Sequence, residues 1–152
     1  MGTKDKQSLY LDVCTLCRPF DDQSQMRIHL ETNAYYLILQ AIRSAQYDMI
    51  VSPVHFEEVN AISDTQEKQE ILTILATLGI QAQCDQVATR ARAEDLHTQR
   101  FGVADAAHVA FAEATAQVFL TCDDRLVKKC KREQVLVSVM NPVEFAIAED
   151  LK

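Results

Sequence analysis

The chain contains few of the residues that interrupt regular structure. Only three glycines and three prolines occur among its 152 residues. Long loops and linkers are rich in these two residues, so their scarcity argues against extended irregular segments. Internal repeats and low-complexity tracts are also missing. We therefore expect a single domain over residues 1–152, in which residues 1–7 form a flexible N-terminal tail.

Long hydrophobic runs are missing as well. No apolar run approaches the roughly 20 residues that a helix needs to cross a bilayer. The opening residues MGTKDKQS are polar and lack the apolar core of a signal peptide. We therefore expect a cytoplasmic location and no membrane partner.

A paired set of cysteines is also missing, because the chain has five: Cys14, Cys17, Cys84, Cys122 and Cys130. An odd number without a secretory signal favours reduced thiols over a disulfide framework. Cys14 and Cys17 form a C-x-x-C motif, which is typical of thioredoxin-like redox pairs and of half a zinc site. Two further zinc ligands at similar spacing are not evident. The simpler interpretation is two small side chains near a buried strand end.

The chain has few basic residues relative to its acidic ones, with a formal net charge of −7 and an isoelectric point of about 5.0. This argues against a protein that coats nucleic acid through bulk electrostatics. It does not exclude a nuclease, since several acids would then hold metal. The basic residues concentrate in residues 128–132. A solvated helix face is the simplest interpretation of that cluster.

Apolar periodicity predicts alternating strands and helices. The predicted strands cover residues 8–13, 48–51, 118–121 and 135–139, while residues 80–84 fit either a strand or a turn. The predicted helices cover residues 25–46, 53–62, 66–78, 86–99, 104–116, 123–132 and 142–151, the last one opened by a capping box at Asn141 and Glu144. This alternation predicts an α/β fold with a central parallel sheet covered on both faces, a three-layer α/β/α domain.

Four widely spaced acids stand out in this pattern: Asp12, Glu58, Asp105 and Asp123. Asp12 and Asp123 lie at the ends of predicted strands, and the carboxyl ends of parallel strands are where such sheets bind ligands. Each acid also has an ordinary explanation. Asp123 suits a helix N-cap, Asp105 benefits from a helix dipole, and Glu58 fits a solvated helix face.

Taken together, these acids and their surroundings resemble the PIN-domain nuclease family, including the VapC-like toxin ribonucleases, over nearly the whole chain. The matching segments are the strand that ends at Asp12, residues 52–59 (SPVHFEEV), residues 105–110 (DAAHVA), residues 121–123 (TCD) and residues 141–145 (NPVEF). Within the second segment the matching acid is Glu58 and not Glu57. Residues 18–22 (RPFDD) resemble a subgroup with an insertion after the first Asp.

The resemblance implies a metal-dependent endoribonuclease that hydrolyses RNA with Mg²⁺ or Mn²⁺. Asp12, Asp105 and Asp123 would hold the metal, and Glu58 would be a further ligand or would position the attacking water. Thr121 would orient a ligand carboxylate through a hydrogen bond. Clustered carboxylates raise one another's pKa values, and a dication relieves that repulsion. The resemblance also implies a toxin of a toxin–antitoxin module, an antitoxin protein as partner, and a homodimer.

One position departs from the family pattern. The residue two after the first Asp is commonly Asn or Ser, and here it is Cys14. We expect Thr15 to supply the missing hydroxyl. The candidates for contacts with backbone phosphates are Arg18, Lys128 and Lys129, together with Arg27. His108, three residues after Asp105, fits a packed core histidine better than a ligand of a hard metal.

Other functions fit parts of the same pattern. A PIN-fold module that binds nucleic acid or protein, with weak or no catalysis, agrees with the acidic isoelectric point and with Cys14. A phosphatase with an Asp nucleophile normally needs a second acid two residues later, and Cys14 occupies that position. The C-x-x-C motif keeps a redox function open. Cleavage of single-stranded RNA with Mn²⁺ separates the nuclease from these alternatives.

Overall fold

The computed structural model describes residues 6–152 and contains five parallel strands enclosed by helices. The strands are β1 (Gln7–Leu11), β2 (Tyr47–Val51), β3 (Gly79–Gln81), β4 (Val118–Leu120) and β5 (Ser138–Met140). The helices are α1 (Val13–Cys17), α2 (Met26–Arg43), α3 (Pro53–Asn60), α4 (Thr65–Leu78), α5 (Gln86–Thr98), α6 (Val103–Thr115), α7 (Asp124–Arg132) and α8 (Pro142–Ala148). The expected α/β architecture is therefore present.

The sheet has the strand order β3-β2-β1-β4-β5. The chain builds outward from β1 to β3 and then returns to the other side of β1 to form β4 and β5. This reversal places the carboxyl ends of β1 and β4 side by side, with Leu11 opposite Leu120. The N–H of Asp12 extends the pairing by donating to the carbonyl of Leu120 at 2.9 Å. Open α/β sheets bind their ligands at such a switch point.

Alternating side chains of the strands build two separate hydrophobic cores. Leu9 and Leu11 of β1 join a cluster that includes residues of α1 to α4 and α8. Tyr10, between them, joins a second cluster with residues of α5 to α7 and with Phe119 of β4. Successive side chains of a strand point to opposite faces, so the short strand β1 contributes to both cores. The helices thus form one layer on each face of the sheet.

Two predicted strand boundaries need correction. The first strand ends at Leu11 and not at Val13, because Val13 already begins α1. The last strand covers Ser138–Met140 instead of residues 135–139. Gln134 adopts a positive φ of 51°, and the N–H of Val135 bonds to the carbonyl of Cys130. These residues therefore close the end of α7 in the manner of a Schellman turn and cannot pair in the sheet.

The ambiguous segment after α4 is an edge strand. Gly79 follows the last residue of α4 and is also the first residue of β3. A Cβ atom at Gly79 would lie 2.4 Å from the carbonyl oxygen of Leu75 and 2.6 Å from Cγ1 of Val51. Helix and strand can follow each other without a loop because glycine leaves this space open.

The two ends of the chain differ from expectation in small ways. Gln7, predicted to lie in a flexible tail, pairs with Tyr47 as the first residue of β1. Lys6 has no regular secondary structure, and the rest of that prediction concerns residues 1–5, which lie outside the described residues. Helix α8 ends at Ala148, and Asn141 caps it by accepting the N–H of Val143 at 2.8 Å. Among residues 6–152, no helix combines the length and the apolar character needed to cross a bilayer.

Candidate active site

Asp12 lies directly after β1 and is buried, with 6% of its surface exposed. Its Oδ2 atom accepts a hydrogen bond from the hydroxyl of Thr121 at 2.8 Å and from the thiol of Cys14 at 3.3 Å. The Thr121 oxygen also accepts the N–H of Asp123 at 3.1 Å. Thr121 therefore connects the two acids that follow β1 and β4.

Asp123 has the position that one of its two sequence interpretations, the helix N-cap, predicts. It is the N-cap of α7, and its Oδ1 atom accepts the N–H groups of Arg125 at 3.0 Å and Leu126 at 3.2 Å. Capping occupies only one of the two carboxylate oxygens. The residue can therefore cap the helix and still offer Oδ2 to a ligand.

Asp105 lies in the first turn of α6 and is partly buried. Burial and the negative charges of Asp12 and Asp123 raise its pKa from 3.8 to about 6, and Glu58 adds a smaller contribution in the same direction. Like charges have this effect only at short range. Asp105 therefore lies within electrostatic range of the other three acids, and we refer to the four together as the anionic site.

Glu58 lies on α3 at the side of this site, and its side chain is 36% exposed. Its Oε1 atom is in hydrogen-bond contact with Nε2 of His108. This hydrogen bond lowers the pKa of Glu58, against the effect of partial burial. Glu57, the neighbouring acid that the family pattern leaves out, is exposed.

Two histidines beside the site have partners that the sequence did not reveal. His108 is 1% exposed, and its Nδ1 atom lies 2.6 Å from the hydroxyl of Tyr10. His55 accepts the N–H of Ser52 at 3.0 Å through Nδ1, and its Nε2 lies 2.6 Å from the carbonyl oxygen of Leu11. Burial, and then the proximity of His108, lower the pKa of His55 to about 4. The only signal for His108 was its spacing of three from Asp105, which places both residues on one face of α6.

The donor atoms of the four acids suit a hard dication, because all of them are carboxylate oxygens. Within residues 6–152, Oδ1 of Asp12, Oδ2 of Asp123, Oε2 of Glu58 and both oxygens of Asp105 make no hydrogen bond to the protein. In the same residues, however, no three acid, His or Cys side chains lie close enough together to surround an ion. Mutual repulsion favours such a spread, so cation binding would require these side chains to move closer.

The environment of Cys14 corrects the expectation for Thr15. The hydroxyl of Thr15 donates to the carbonyl of Leu120 at 3.3 Å and lies 3.7 Å from the sulfur of Cys122, so it does not support a carboxylate. The thiol of Cys14 occupies that position instead. It also lies 3.4 Å from the Thr121 hydroxyl. Across residues 6–152 all the cysteines are free thiols, including Cys14 and Cys17.

The candidate phosphate contacts divide into two groups. Arg18 already has intramolecular partners, since it pairs with Asp21 at 2.9 Å and with buried Glu31 at 3.0 Å. Lys129 donates to the carbonyl of Arg100 at 3.0 Å. Lys128, in contrast, is exposed on the helix that Asp123 caps. The geometry thus favours Lys128 over Arg18 and Lys129 as a contact for a phosphate group.

Arg27 is also engaged within the chain. Its guanidinium group makes two hydrogen bonds to Asp124, at 2.6 and 2.7 Å, and contacts Glu31 at 3.4 Å. The pair ties the first turn of α2 to the first turn of α7, beside the acids. Arg27 therefore has a structural role at the rim of the site.

Comparisons with known proteins bear on the fold. No protein-family model and no curated protein sequence matches the chain. Among solved structures, it is similar to FitAcB from Neisseria gonorrhoeae, with a TM-score of 0.53 and 17% identity, over 88% of this chain and 97% of that chain. It is also similar to VapBC2 from Rickettsia felis bound to a DNA fragment from their promoter, with a TM-score of 0.54 and 12% identity, over 88% of this chain and 98% of that one.

At these identities the likeness concerns the backbone and not the chemistry of the site. It covers most of this chain and nearly all of both related chains. Together with the parallel sheet and its strand order, it shows the fold that the sequence resemblance implied, a PIN-like three-layer α/β/α domain.

Proposed function

We propose that this protein is an endoribonuclease that hydrolyses RNA phosphodiester bonds with Mg²⁺ or Mn²⁺. The observation that carries the proposal is the hydrogen-bonded connection of Asp12 and Asp123 through Thr121, at the adjacent ends of β1 and β4. The raised pKa of Asp105, caused by burial and by the charges of Asp12, Asp123 and Glu58, agrees with it. Four carboxylates that repel one another at a sheet switch point store free energy that a dication would release. Their arrangement on a PIN-like fold supports a nuclease.

Asp12, Asp105 and Asp123 would hold the metal through the oxygens that make no protein hydrogen bond within residues 6–152. When bound, a dication supplies positive charge for the phosphate oxygens and lowers the pKa of a coordinated water. The hydrogen bond from Thr121 holds the carboxylate of Asp12 in position. Glu58, ionised and partly exposed, would orient the attacking water or accept its proton.

The substrate would reach the acids along the start of α7. Asp123 caps this helix, and exposed Lys128 lies one turn beyond Asp124 on it. A cation at this point can contact a backbone phosphate without reading the base. The net charge of −7 would otherwise repel a polyanion, so we propose a short single-stranded contact and not an extended duplex surface.

We further propose that the protein is the toxin of a toxin–antitoxin module, belongs to the subgroup with the RPFDD segment, and acts as a homodimer. The similarity to VapBC2 and FitAcB supports the role as a toxin.

A groove of about 570 Å³ beside Asp124 is lined by the exposed side chains of Met26, Leu30 and Ile147, and such a surface suits a protein partner. Expression in a bacterial host should arrest growth, and Asp105→Asn should restore it.

The direct test is cleavage of a mixed pool of single-stranded RNA by the purified protein with Mn²⁺. We expect products that disappear with a chelator, and their loss in Glu58→Gln and in Asp105→Asn. Circular dichroism would show that both variants remain folded. Glu57→Gln is the matched control, because Glu57 is the exposed neighbour of Glu58. Unchanged cleavage in both site variants would refute the assignment.

A second candidate is a PIN-fold module that binds RNA or protein without turnover. One observation favours it: among residues 6–152, no three potential ligand side chains already surround a common point. This candidate predicts RNA binding that depends on Lys128 but no product at any Mn²⁺ concentration. The cleavage assay therefore separates the two candidates.

A further inference from the structure

A continuous row of buried polar side chains leads from the interior of the sheet to Glu58. The hydroxyl of Ser52 lies 2.7 Å from the hydroxyl of Tyr10, which lies 2.6 Å from Nδ1 of His108. The other ring nitrogen of His108 contacts Glu58. Ser52, Tyr10 and His108 are each at most 1% exposed. Solvent therefore cannot replace any of these partners, and each must be satisfied by its neighbour.

The start of the row fixes the direction of its protons. The N–H of Ser52 donates to Nδ1 of His55 at 3.0 Å, so this nitrogen carries no hydrogen. His55 must then carry its hydrogen on Nε2 and donate it to the carbonyl of Leu11. Because Nδ1 of His55 is already occupied as an acceptor, the hydroxyl hydrogen of Ser52 is available to Tyr10.

The same logic assigns the tautomer of His108. Tyr10 accepts from Ser52 and therefore donates its own hydrogen to Nδ1 of His108. His108 then carries its hydrogen on Nε2, directly opposite the carboxylate of Glu58. The reverse tautomer would set a nitrogen lone pair against a carboxylate oxygen. With a neutral His108, this arrangement of protons satisfies every member of the row.

We propose that His108 is a positioning residue that holds Oε1 of Glu58 and so directs Oε2 to the anionic site. The inference rests on the proposed function, since it deepens the role of Glu58 there. Glu58 is 36% exposed and would otherwise sample several rotamers, at an entropic cost when it binds a metal or a water. His108, in contrast, is a buried residue of α6 whose far nitrogen contacts Tyr10, so its ring has little freedom to turn.

A packing role alone does not account for these contacts. A leucine or valine at position 108 would fill the same space between α6 and α3, but it would remove the acceptor of the Tyr10 hydroxyl hydrogen and the donor to one oxygen of Glu58. Ligand residues commonly depend on such supporting hydrogen bonds, and loss of one weakens metal affinity about 10–100-fold.

The experiment uses electron paramagnetic resonance to measure the dissociation constant of Mn²⁺ for His108→Leu and His108→Gln. Each variant is made both in the natural sequence and together with Glu58→Gln. Gln keeps an N–H donor that can reach Glu58, whereas Leu has none. In the natural sequence we expect His108→Leu to weaken Mn²⁺ binding about tenfold and His108→Gln to weaken it far less. In the Glu58→Gln background, His108→Leu should add no more than about a twofold change.

A second measurement works without metal and without substitution at position 108. An imidazole N–H that donates to a carboxylate gives a strongly downfield proton resonance, which we expect in the metal-free protein. Glu58→Gln should shift it toward the normal range, and Glu57→Gln should leave it unchanged. This readout stays informative if a His108 variant fails to fold.

Three results would overturn the proposal: equal weakening by His108→Leu in both backgrounds, equal weakening by Leu and Gln, or a resonance that is unaffected by Glu58→Gln. Failure of the proposed function has a different signature. If Mn²⁺ binding and RNA cleavage are both absent, or are unaffected by Glu58→Gln and Asp105→Asn, the metal site is wrong. The downfield resonance would still decide whether His108 holds Glu58.

Discussion

Thr121 donates its hydroxyl hydrogen to Oδ2 of Asp12 across 2.8 Å, although the two residues are 109 positions apart in the chain. The pairing of β1 with β4 makes this contact possible, because it sets the carboxyl ends of both strands side by side. The same oxygen of Thr121 accepts the N–H of Asp123. One buried hydroxyl therefore fixes the relative position of two candidate metal ligands.

Thr121→Val should weaken both the fold and the site. Valine has the same shape but removes the donor to Asp12 and the acceptor for the N–H of Asp123. We expect a loss of about 1–3 kcal/mol in the free energy of unfolding and about tenfold in Mn²⁺ affinity. Urea denaturation and Mn²⁺ titration measure the two effects. Thr121→Ser keeps the hydroxyl and is the control; equal behaviour of Val and Ser would contradict the role of the hydrogen bond.

Asp105→Asn should stabilise the metal-free protein at neutral pH. The pKa of Asp105 is raised from 3.8 to about 6, so between these values the folded state binds more protons than the unfolded state. Stability therefore decreases as pH rises through this window, and the penalty is fully present above about pH 6. Asparagine carries no charge and avoids the penalty.

Urea denaturation in EDTA at pH 4 and pH 7 measures this effect. The variant should gain stability over the natural sequence at pH 7 and little at pH 4. Asp150→Asn is a suitable control, because Asp150 is exposed and has a positive φ of 51°, which asparagine tolerates. If Asp105→Asn destabilises the metal-free protein at pH 7, Asp105 does not experience the repulsion of the other acids.

Binding of Mn²⁺ should become weaker as pH falls below about 6. Asp105 must lose its proton to become a ligand, and its pKa of about 6 sets the pH at which this proton begins to compete. If one proton is displaced, the dissociation constant should rise up to about tenfold for each pH unit below that point. Isothermal titration calorimetry at several pH values measures the slope. Asp105→Asn should flatten it, and an equally steep slope in this variant would assign the proton elsewhere.

The sequence was sufficient for the architecture because periodicity and topology depend on local patterns. The alternation of strands and helices predicts the parallel sheet, and the parallel sheet predicts that Asp12 and Asp123 meet at its carboxyl edge. The incorrect boundary at β5 has a local cause. The run of residues 135–139 has the composition of a strand, yet its first residue is needed to close α7 through its bond to Cys130.

The sequence did not predict which groups the individual polar side chains contact. His108 meets Glu58 from 50 positions away and Tyr10 from 98 positions away, and both contacts depend on rotamers from different elements. The sequence suggested that Arg18 could contact a phosphate group, but in the fold Arg18 pairs with buried Glu31. Whether a charged side chain is free or paired depends on its neighbours in the tertiary structure, which a local sequence pattern does not specify.

Cys14→Ser should strengthen the support of Asp12. The thiol of Cys14 is a weak donor, at 3.3 Å from Oδ2 of Asp12, and a hydroxyl is a stronger one. A gain of about 1 kcal/mol corresponds to roughly fivefold tighter Mn²⁺ binding. Cys14→Ala removes the donor and should act in the opposite direction.

Cys17→Ser provides the matched control for this series, because Cys17 lies one turn later on α1 and has no bond to Asp12 in residues 6–152. Mn²⁺ titration of the three variants under reducing conditions should give the order Ser, Cys, Ala at position 14, with Cys17→Ser unchanged. A common affinity for all three residues at position 14 would mean that Thr121 alone holds Asp12, since its hydroxyl is the other donor to Oδ2.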